Sequence, residues 1–266
     1  MYSKKYKKEL SMSENRKKFK ILGNTHPAII AVWAALHAAS ALLPSIPIIG
    51  TGFSFSVGMI FAPLAGIFFG PVAGAVTASV GSFIGTIIAP HTAMLGLASF
   101  VTDLFCALAA GLISRGGKIW PLSLVIAAGG SVLWMATPTG RAYPMYLILY
   151  GTAALAMVIG GLFARRWLIG KNIGLQFTAI WICAFAGFLG ASFPIGYFFC
   201  ILLYGLPVEV FKPLFLVAPA QRAMFALIAA IIGVPLLVDL PKIGVFVGPQ
   251  DQCQDDPVED EAMDED

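Results

Sequence analysis

The sequence predicts an all-α membrane protein, a bundle of transmembrane helices that crosses the bilayer several times. Hydrophobic residues make up 58% of the 266 residues and charged residues 12%, against roughly 45–50% and about 25% in soluble domains. Residues 28–90 contain no Asp, Glu, Lys or Arg, and a chain of this size has no soluble interior that could bury so long an uncharged stretch. The apolar runs are long and lack the alternating pattern of a transmembrane β-barrel, so helices are expected.

The charged residues are concentrated at the two ends of the chain. Eight of the 17 Lys and Arg lie in the first twenty residues, and nine of the 14 Asp and Glu lie in the last sixteen. Neither end can bury enough apolar surface to offset the entropy lost on ordering it. We therefore expect a disordered basic arm over residues 1–24, a transmembrane domain over 25–242 and a disordered acidic tail over 243–266.

The apolar runs predict six to eight spans, with eight favoured. Each run is close to the roughly 20 residues that cross a bilayer as a helix. The first three runs are short or share a tight turn, and the seventh is long enough to tilt or to break at Pro194. The candidate spans are residues 28–43, 54–70, 71–89, 94–114, 120–137, 143–164, 174–202 and 218–237.

The basic residues of the loops predict how these spans are oriented. With the N-terminus inside, the cytoplasmic segments carry 14 Lys and Arg residues, whereas the outer connections carry only Arg141 and Lys212. Loop Lys and Arg favour the cytoplasmic side, and acidic residues contribute little to orientation. Both termini are therefore predicted to be cytoplasmic, in a multi-pass protein of the cell membrane.

The first span has small side chains along one flank. Ala31, Ala35 and Ala39 follow one another at four-residue spacing and so share one side of a helix. In lipid, small side chains let two helix backbones approach closely. This alanine stripe (Ala31, Ala35 and Ala39) is a candidate docking surface for a partner helix. Packing inside the bundle is an equally open alternative.

In the second and third spans, glycines occur at the same four-residue spacing. Gly66, Gly70 and Gly74 run across the Gly-Pro turn between the two spans, and Gly81 and Gly85 form a GxxxG pair in the third. The same argument from close backbone approach applies to them. For these glycines we expect packing between helices of the same chain.

Together these features resemble the substrate-binding S component of energy-coupling factor (ECF) transporters. The similarity lies in the alanine stripe, the long uncharged connection with Pro and Gly after it, and the double span FAPLAGIFFGPVAGAVTASVGSFIG with its central Gly-Pro. It also includes a final span that opens with a proline and a polar pair, APAQRAMFALIAAIIGVPLL. The resemblance covers residues 28–114 and 218–240. Members of that family have six spans, so the middle region, residues 120–200, lies outside it.

The resemblance implies a membrane subunit that captures a small vitamin-like solute. Such a subunit works with a transmembrane coupling subunit and two cytoplasmic ATPases, and the alanine stripe would face the coupling subunit. The connection of residues 44–54 would close over the solute from outside. It supplies three candidate solute contacts, Thr51, Phe53 and Ser54.

Ionisable and polar residues inside the spans are further candidate contacts. Asp103 lies in the middle of the fourth span, and Arg222 follows Gln221 in the first turn of the last one. A charge inside the membrane is costly and marks a functional site by default. Asp103 and Arg222 form either a salt bridge that holds the bundle together or two contacts to the solute. His91, in an outer loop, is also a candidate contact. For His37, beside the alanine stripe, we expect a hydrogen bond to a neighbouring helix.

The sequence offers little for catalysis. It contains no P-loop, no CxxC pair and no His/Cys cluster with zinc-ligand spacing. We therefore expect no enzymatic activity, no cofactor or metal, and no nucleic-acid partner. Capture of a solute for ATP-driven uptake is the favoured function. A self-sufficient permease is the alternative, followed by a membrane enzyme or an assembly scaffold.

Overall fold

The computed structural model describes residues 27–43, 46–47, 54–93, 95–243, 245 and 247–249. Residues 1–24 of the predicted basic arm and residues 251–266 of the predicted tail lie outside this part of the chain. In the part described, regular structure is helical except for one pair of two-residue strands, β1 (Ile46–Pro47) and β2 (Ser54–Phe55), which pair antiparallel. The prediction of an all-α bundle is therefore confirmed apart from this short hairpin.

Ten α-helices are assigned within the described residues. Short 3-10 turns precede α2 at Val57–Ile60, follow α3 at Pro90–Thr92 and Gly96–Ala98, and follow α10 at Leu240–Ile243. A π-helix at Gly187–Ser192 joins α8 to α9. The α-helices are α1 (Pro27–Ser40), α2 (Phe61–Phe69), α3 (Pro71–Ile88), α4 (Ser99–Arg115), α5 (Pro121–Ala136), α6 (Pro138–Ala142), α7 (Tyr146–Ile169), α8 (Ile173–Ala186), α9 (Phe193–Tyr204) and α10 (Val208–Asp239).

Five helical stretches within the described residues are long and apolar enough to cross a membrane: Pro71–Ile88, Gly96–Arg115, Tyr146–Ile169, Ile173–Tyr204 and Val208–Lys242. Three shorter apolar helices, Pro27–Ser40, Val57–Phe69 and Pro121–Ala136, match the remaining predicted segments. These lengths support a membrane protein with transmembrane helices. The total of six to eight spans stays a prediction.

Glycines bring the first four helices into close contact, as predicted. Gly81 of α3 lies against Ala34 and His37 of α1, and Gly85 lies against Ala38. Contacts that advance together along both helices mean that α1 and α3 run parallel. At one end of the bundle, which we call the hairpin end, α1 leads into the β1–β2 hairpin. At the opposite end, α3 begins.

The opposite end is held together by Arg115, the last residue of α4. Its Nη1 donates to the carbonyl oxygen of Gly248 at 2.7 Å, and its Nη2 donates to that of Phe68 at 3.3 Å. Its guanidinium also packs on Gly70, whose φ of 86° favours glycine in the turn between α2 and α3. We call this end the Arg115 end.

The bundle extends beyond the predicted boundary at residue 242. Val247 is fully buried and belongs to the hydrophobic core, and Gly248 lies against Leu237 of α10. The predicted tail over 243–266 thus begins with residues that are packed on the helices. The uncharged apolar run of residues 243–247, which precedes the first acidic residue of the tail at Asp251, is the sequence signal for this contact.

Pro194 does not break the seventh predicted segment. Ile173–Tyr204 is continuous, and the π-helix Gly187–Ser192 ends two residues before the proline. Because proline has no N–H, one carbonyl of the preceding turn loses its usual helical donor, and a locally wider turn accommodates this change. The widened turn lies beside the cavity described next.

A cluster of buried aromatic side chains packs against α9, directly after the π-helix. The ring of Trp134 is fully buried, with centroids 4.8 Å from Tyr146 and 5.3 Å from Phe211. Tyr146 donates its hydroxyl to the carbonyl oxygen of Phe211 at 2.7 Å. The cluster continues through Phe193 and Tyr197, whose rings are 4.2 Å apart. It therefore fixes the face of α9 that forms one wall of the cavity.

Candidate functional site

A cavity of about 110 Å³ lies in the half of the bundle toward the hairpin end. Its walls come from α1, the turn before α2, the later part of α3, the start of α4, α9 and α10. A water molecule needs about 10–15 Å³ of such space, so the cavity has room for several waters or a small organic molecule. Its polar lining residues are His37, Ser56, Ser82, Thr86, Ser99, Thr102, Asp103, Ser192, Tyr197, Cys200 and Arg222.

Asp103 supplies the negative charge of the cavity. Its Oδ2 lies 3.6 Å from Nε2 of His37, and the two side chains are 14% and 5% exposed. Ser82 of α3 interacts with the same carboxylate through its hydroxyl. The predicted hydrogen bond from His37 to a neighbouring helix is therefore replaced by a longer contact with a carboxylate.

His37 is fixed in this position by its surroundings on α1. Its ring stacks on that of Phe61, with centroids 6.2 Å apart. A side chain at Gly81 would collide with the Cβ of His37, so glycine at that position lets α3 approach. The buried Nδ1 of His37 has no hydrogen-bond partner among the described residues.

Arg222 supplies the positive charge. It is 4% exposed, and its Nη1 donates to the sulfur of Met59 at 3.3 Å. Its guanidinium carbon lies 5.4 Å from the ring centroid of Phe193 and 5.8 Å from that of Phe188, distances at which a cation is attracted to an aromatic face. The charges of Arg222 and Asp103 also interact with each other.

The structure thus brings together the two residues that the sequence selected as intramembrane charges. Asp103 and Arg222 come from α4 and α10 and line one cavity. The ion-pair contact described for Asp103 is with His37 rather than with Arg222.

The other predicted contacts are located less centrally. His91 is exposed in the turn Pro90–Thr92 and is not among the cavity-lining residues, and neither is the half-buried Gln221. The side-chain oxygen of Gln221 is buried and has no hydrogen-bond partner among the described residues. Ser54 is described only through its backbone, in β2. Thr51 and Phe53 lie outside the described residues.

Sequence reasoning missed the hydroxyl groups of the wall. Ser82 and Thr86 each follow a glycine of the GxxxG pair, so that one face of α3 packs on α1 while the next residues point into the cavity. Their four-residue spacing was a usable signal. Ser192 and Tyr197 come from the region outside the resemblance, and no pattern in the sequence connected them to Asp103.

Some of these hydroxyls are already committed to the backbone. Thr102 donates to the carbonyl oxygen of Ser99 at 2.7 Å, and Ser56 accepts from the N–H of Gly58 at 3.0 Å. Both residues line the cavity, and each hydroxyl can form further hydrogen bonds. These two hydroxyls can therefore contribute to binding a polar solute.

The alanine stripe and the neighbouring alanines of α1 lie on different sides of the helix. Ala31, Ala35 and Ala39 are exposed, whereas Ala34 and Ala38 are buried against α3. Val32 and Leu36, 59% and 49% exposed, extend this apolar surface. The stripe consequently lies on the outside of the bundle.

No family model, curated protein or solved structure matches this chain. Among the described residues there is no group of three or more His, Cys, Asp or Glu side chains that could hold a metal ion. Two opposite charges, several hydroxyls and two aromatic rings suit the reversible binding of a small polar molecule.

Proposed function

We propose that the protein is a solute-capture subunit for ATP-driven uptake, of the type represented by ECF S components. The observation that carries this proposal is the cavity near the hairpin end, walled by Asp103, Arg222 and a set of hydroxyls. Intramembrane charges that line a cavity are typical of a solute site. Because the sequence contains no P-loop, the energy for release of the solute would come from partner subunits.

The β1–β2 hairpin favours entry of the solute from this end. Ala41, directly after α1, and Ser56, directly after β2, both line the cavity, and they flank the connection of residues 44–54 in the sequence. In the proposed mechanism this connection covers the bound solute on the outer side. Reorientation of the whole subunit against its coupling partner then opens the cavity toward the cytoplasm.

The exposed alanine stripe supports the proposed partner contact. Ala31, Ala35 and Ala39 present small side chains on a helix whose opposite face is packed in the bundle. Such a surface allows a helix of the coupling subunit to approach closely. Two cytoplasmic ATPases would then act on the solute-bound subunit through that coupling subunit.

The proposal includes eight crossings, with both termini and the Arg115 end in the cytoplasm of the cell. Single cysteines placed at the exposed positions Lys118 and Lys171 should be shielded from an impermeant thiol reagent in intact cells. Cysteines at the exposed positions His91 and Arg141 should react. The measurement uses a background in which the native cysteines are alanine, with permeabilised cells as the control. Reaction at Lys118 or Lys171 from outside would contradict this orientation.

Transport assays distinguish capture from self-sufficient permeation. Purified protein in liposomes should bind the solute that co-purifies with it, identified by mass spectrometry, but should not accumulate it. Addition of a coupling subunit and ATPases with ATP should start uptake, and an ATPase variant that cannot hydrolyse ATP should stop it. Accumulation by the protein alone would favour the permease, and chemical conversion of the solute would favour an enzyme.

A further inference from the structure

Resting on this proposed function, we propose that the solute is a small zwitterion. Its cationic N–H group would lie at Asp103 and its anionic group at Arg222. The two residues supply opposite charges to one cavity of about 110 Å³ and are carried by different helices, α4 and α10. A solute with both charges would pair with each of them at once.

The Asp103 side has hydrogen-bonding capacity left for a donor. Its carboxylate lies 3.6 Å from His37 Nε2, beyond the roughly 2.7–2.9 Å of a charge-assisted hydrogen bond. An ionised carboxylate offers about four acceptor positions, and the hydroxyl of Ser82 accounts for one of them. Burial of such a group is unfavourable unless further donors reach it. An ammonium or another N–H cation of the solute meets that requirement.

The His37 side chain adds a second, independent indication of a ligand. It is 4% exposed and lines the cavity, and its buried Nδ1 has no hydrogen-bond partner among the described residues. A buried polar atom in that state implies a ligand or water that completes its hydrogen bonding. Together, Asp103 and His37 make this part of the wall a site for a polar, N–H-bearing group.

The Arg222 side presents a positive charge in a fixed orientation. Met59, Phe188 and Phe193 hold its guanidinium through a hydrogen bond to sulfur and two aromatic faces. A planar guanidinium held in place is suited to bind a carboxylate in a bidentate manner. The anionic end of the solute is therefore expected here, beside the ring of Phe193.

The pair of charges also excludes other classes of solute. A solute with only negative charge would bring a like charge close to Asp103, and one with only positive charge would do so at Arg222. Such contacts are unfavourable in a poorly hydrated site, where charges are weakly screened. The two charges of the cavity wall thus favour a zwitterion over a molecule that carries only one charge.

Four probes that share one aromatic ring test the inference. The zwitterions 3- and 4-(aminomethyl)benzoate are compared with benzylamine and benzoate, by thermal shift and calorimetry on the full chain in detergent. At least one zwitterion should bind about tenfold or more tightly than either singly charged probe, the effect of one additional charge-assisted hydrogen bond. Equal or tighter binding of benzylamine or benzoate would overturn the proposal. So would a lack of stabilisation by both zwitterions at millimolar concentration.

Variants assign each charge of the probe to its partner. Asp103→Asn should weaken binding of the zwitterion by about tenfold but should not weaken binding of benzoate, because the variant removes a like charge. Arg222→Gln should likewise weaken binding of the zwitterion by about tenfold without weakening binding of benzylamine. Asp239→Asn and Arg141→Gln are matched controls at exposed positions and should change nothing. Arg222→Lys keeps the charge and should retain the preference for a zwitterion. Equal losses for all probes in both variants would contradict the assignment.

The outcome is separable from that of the proposed function. Transport by the protein alone would overturn the capture-subunit role, whatever the probes show in detergent. Conversely, a singly charged solute that is taken up only with ATPase partners would overturn the zwitterion and leave the capture role standing.

Discussion

Gly66→Ala should lower the melting temperature of the protein strongly, and Gly66→Val should prevent it from accumulating in the membrane. A Cβ at Gly66 would overlap the carbonyl oxygen of Ala107 on α4, and backbone atoms cannot rotate away as a side chain can. The α2 and α4 helices would have to separate, which costs about 1–3 kcal/mol or more for overpacking of a core. Thermal melting in detergent, followed by size-exclusion fluorescence, measures the change.

The matched control for this prediction is Gly129→Ala. A Cβ added at Gly129 of α5 meets nothing within 4 Å. Replacement of a helical glycine by alanine at an unstrained site stabilises by about 0.4–1 kcal/mol, so this variant should melt at the same temperature or slightly higher. If Gly66→Ala melted like Gly129→Ala, the close approach of α2 and α4 would be wrong.

Ala35→Leu should abolish co-purification of a coupling subunit while leaving solute binding intact. Ala35 is exposed in the middle of the alanine stripe, and a leucine there adds bulk on the outer side of α1 without entering the bundle. Helix contacts that rely on small residues lose their short-range packing when the backbones move apart. Pull-down from membranes that contain all subunits, together with a thermal shift with solute, gives both readouts.

Two other alanine-to-leucine variants serve as controls for that result. Ala128→Leu, at an exposed position of α5, makes the same change elsewhere and should retain the partner. Ala34→Leu, at a position buried against Gly81, should destabilise the protein itself. Loss of solute binding and stability in Ala35→Leu would place the stripe inside the bundle and remove the argument for docking.

The helices were largely predictable because apolar runs in a membrane protein have few other options. Each predicted span coincides with an apolar helix, and the Gly70–Pro71 turn was visible in the sequence. The last helix was predicted from residue 218 but begins at Val208. Pro219 was expected to open this span, yet it lies inside α10, as does Pro213. Neighbouring helices can satisfy the backbone groups that proline frees in a membrane helix.

The site was only partly predictable. Asp103 and Arg222 stood out because an ionisable residue in an apolar run is rare. The partner of Asp103 depended on tertiary structure: His37 contacts it from α1, which packs closely on α3 at Gly81. The wall formed by Tyr197 required the π-helix before α9, a change in helical register for which the sequence gives only the proline as a sign.

The hydrogen bond between Arg115 and Gly248 limits how far the acidic residues 251–266 can lie from the Arg115 end of the bundle. Asp251 follows Gly248 by three residues, so at most about 11 Å of extended chain separates its backbone from the acceptor of Arg115. All nine carboxylates of residues 251–266 are thus confined to within roughly 65 Å of one point on the bundle. Confinement of this kind sets a high local concentration of charge. A basic surface that approaches the Arg115 end would therefore meet carboxylates at a high local concentration, because they belong to the same chain.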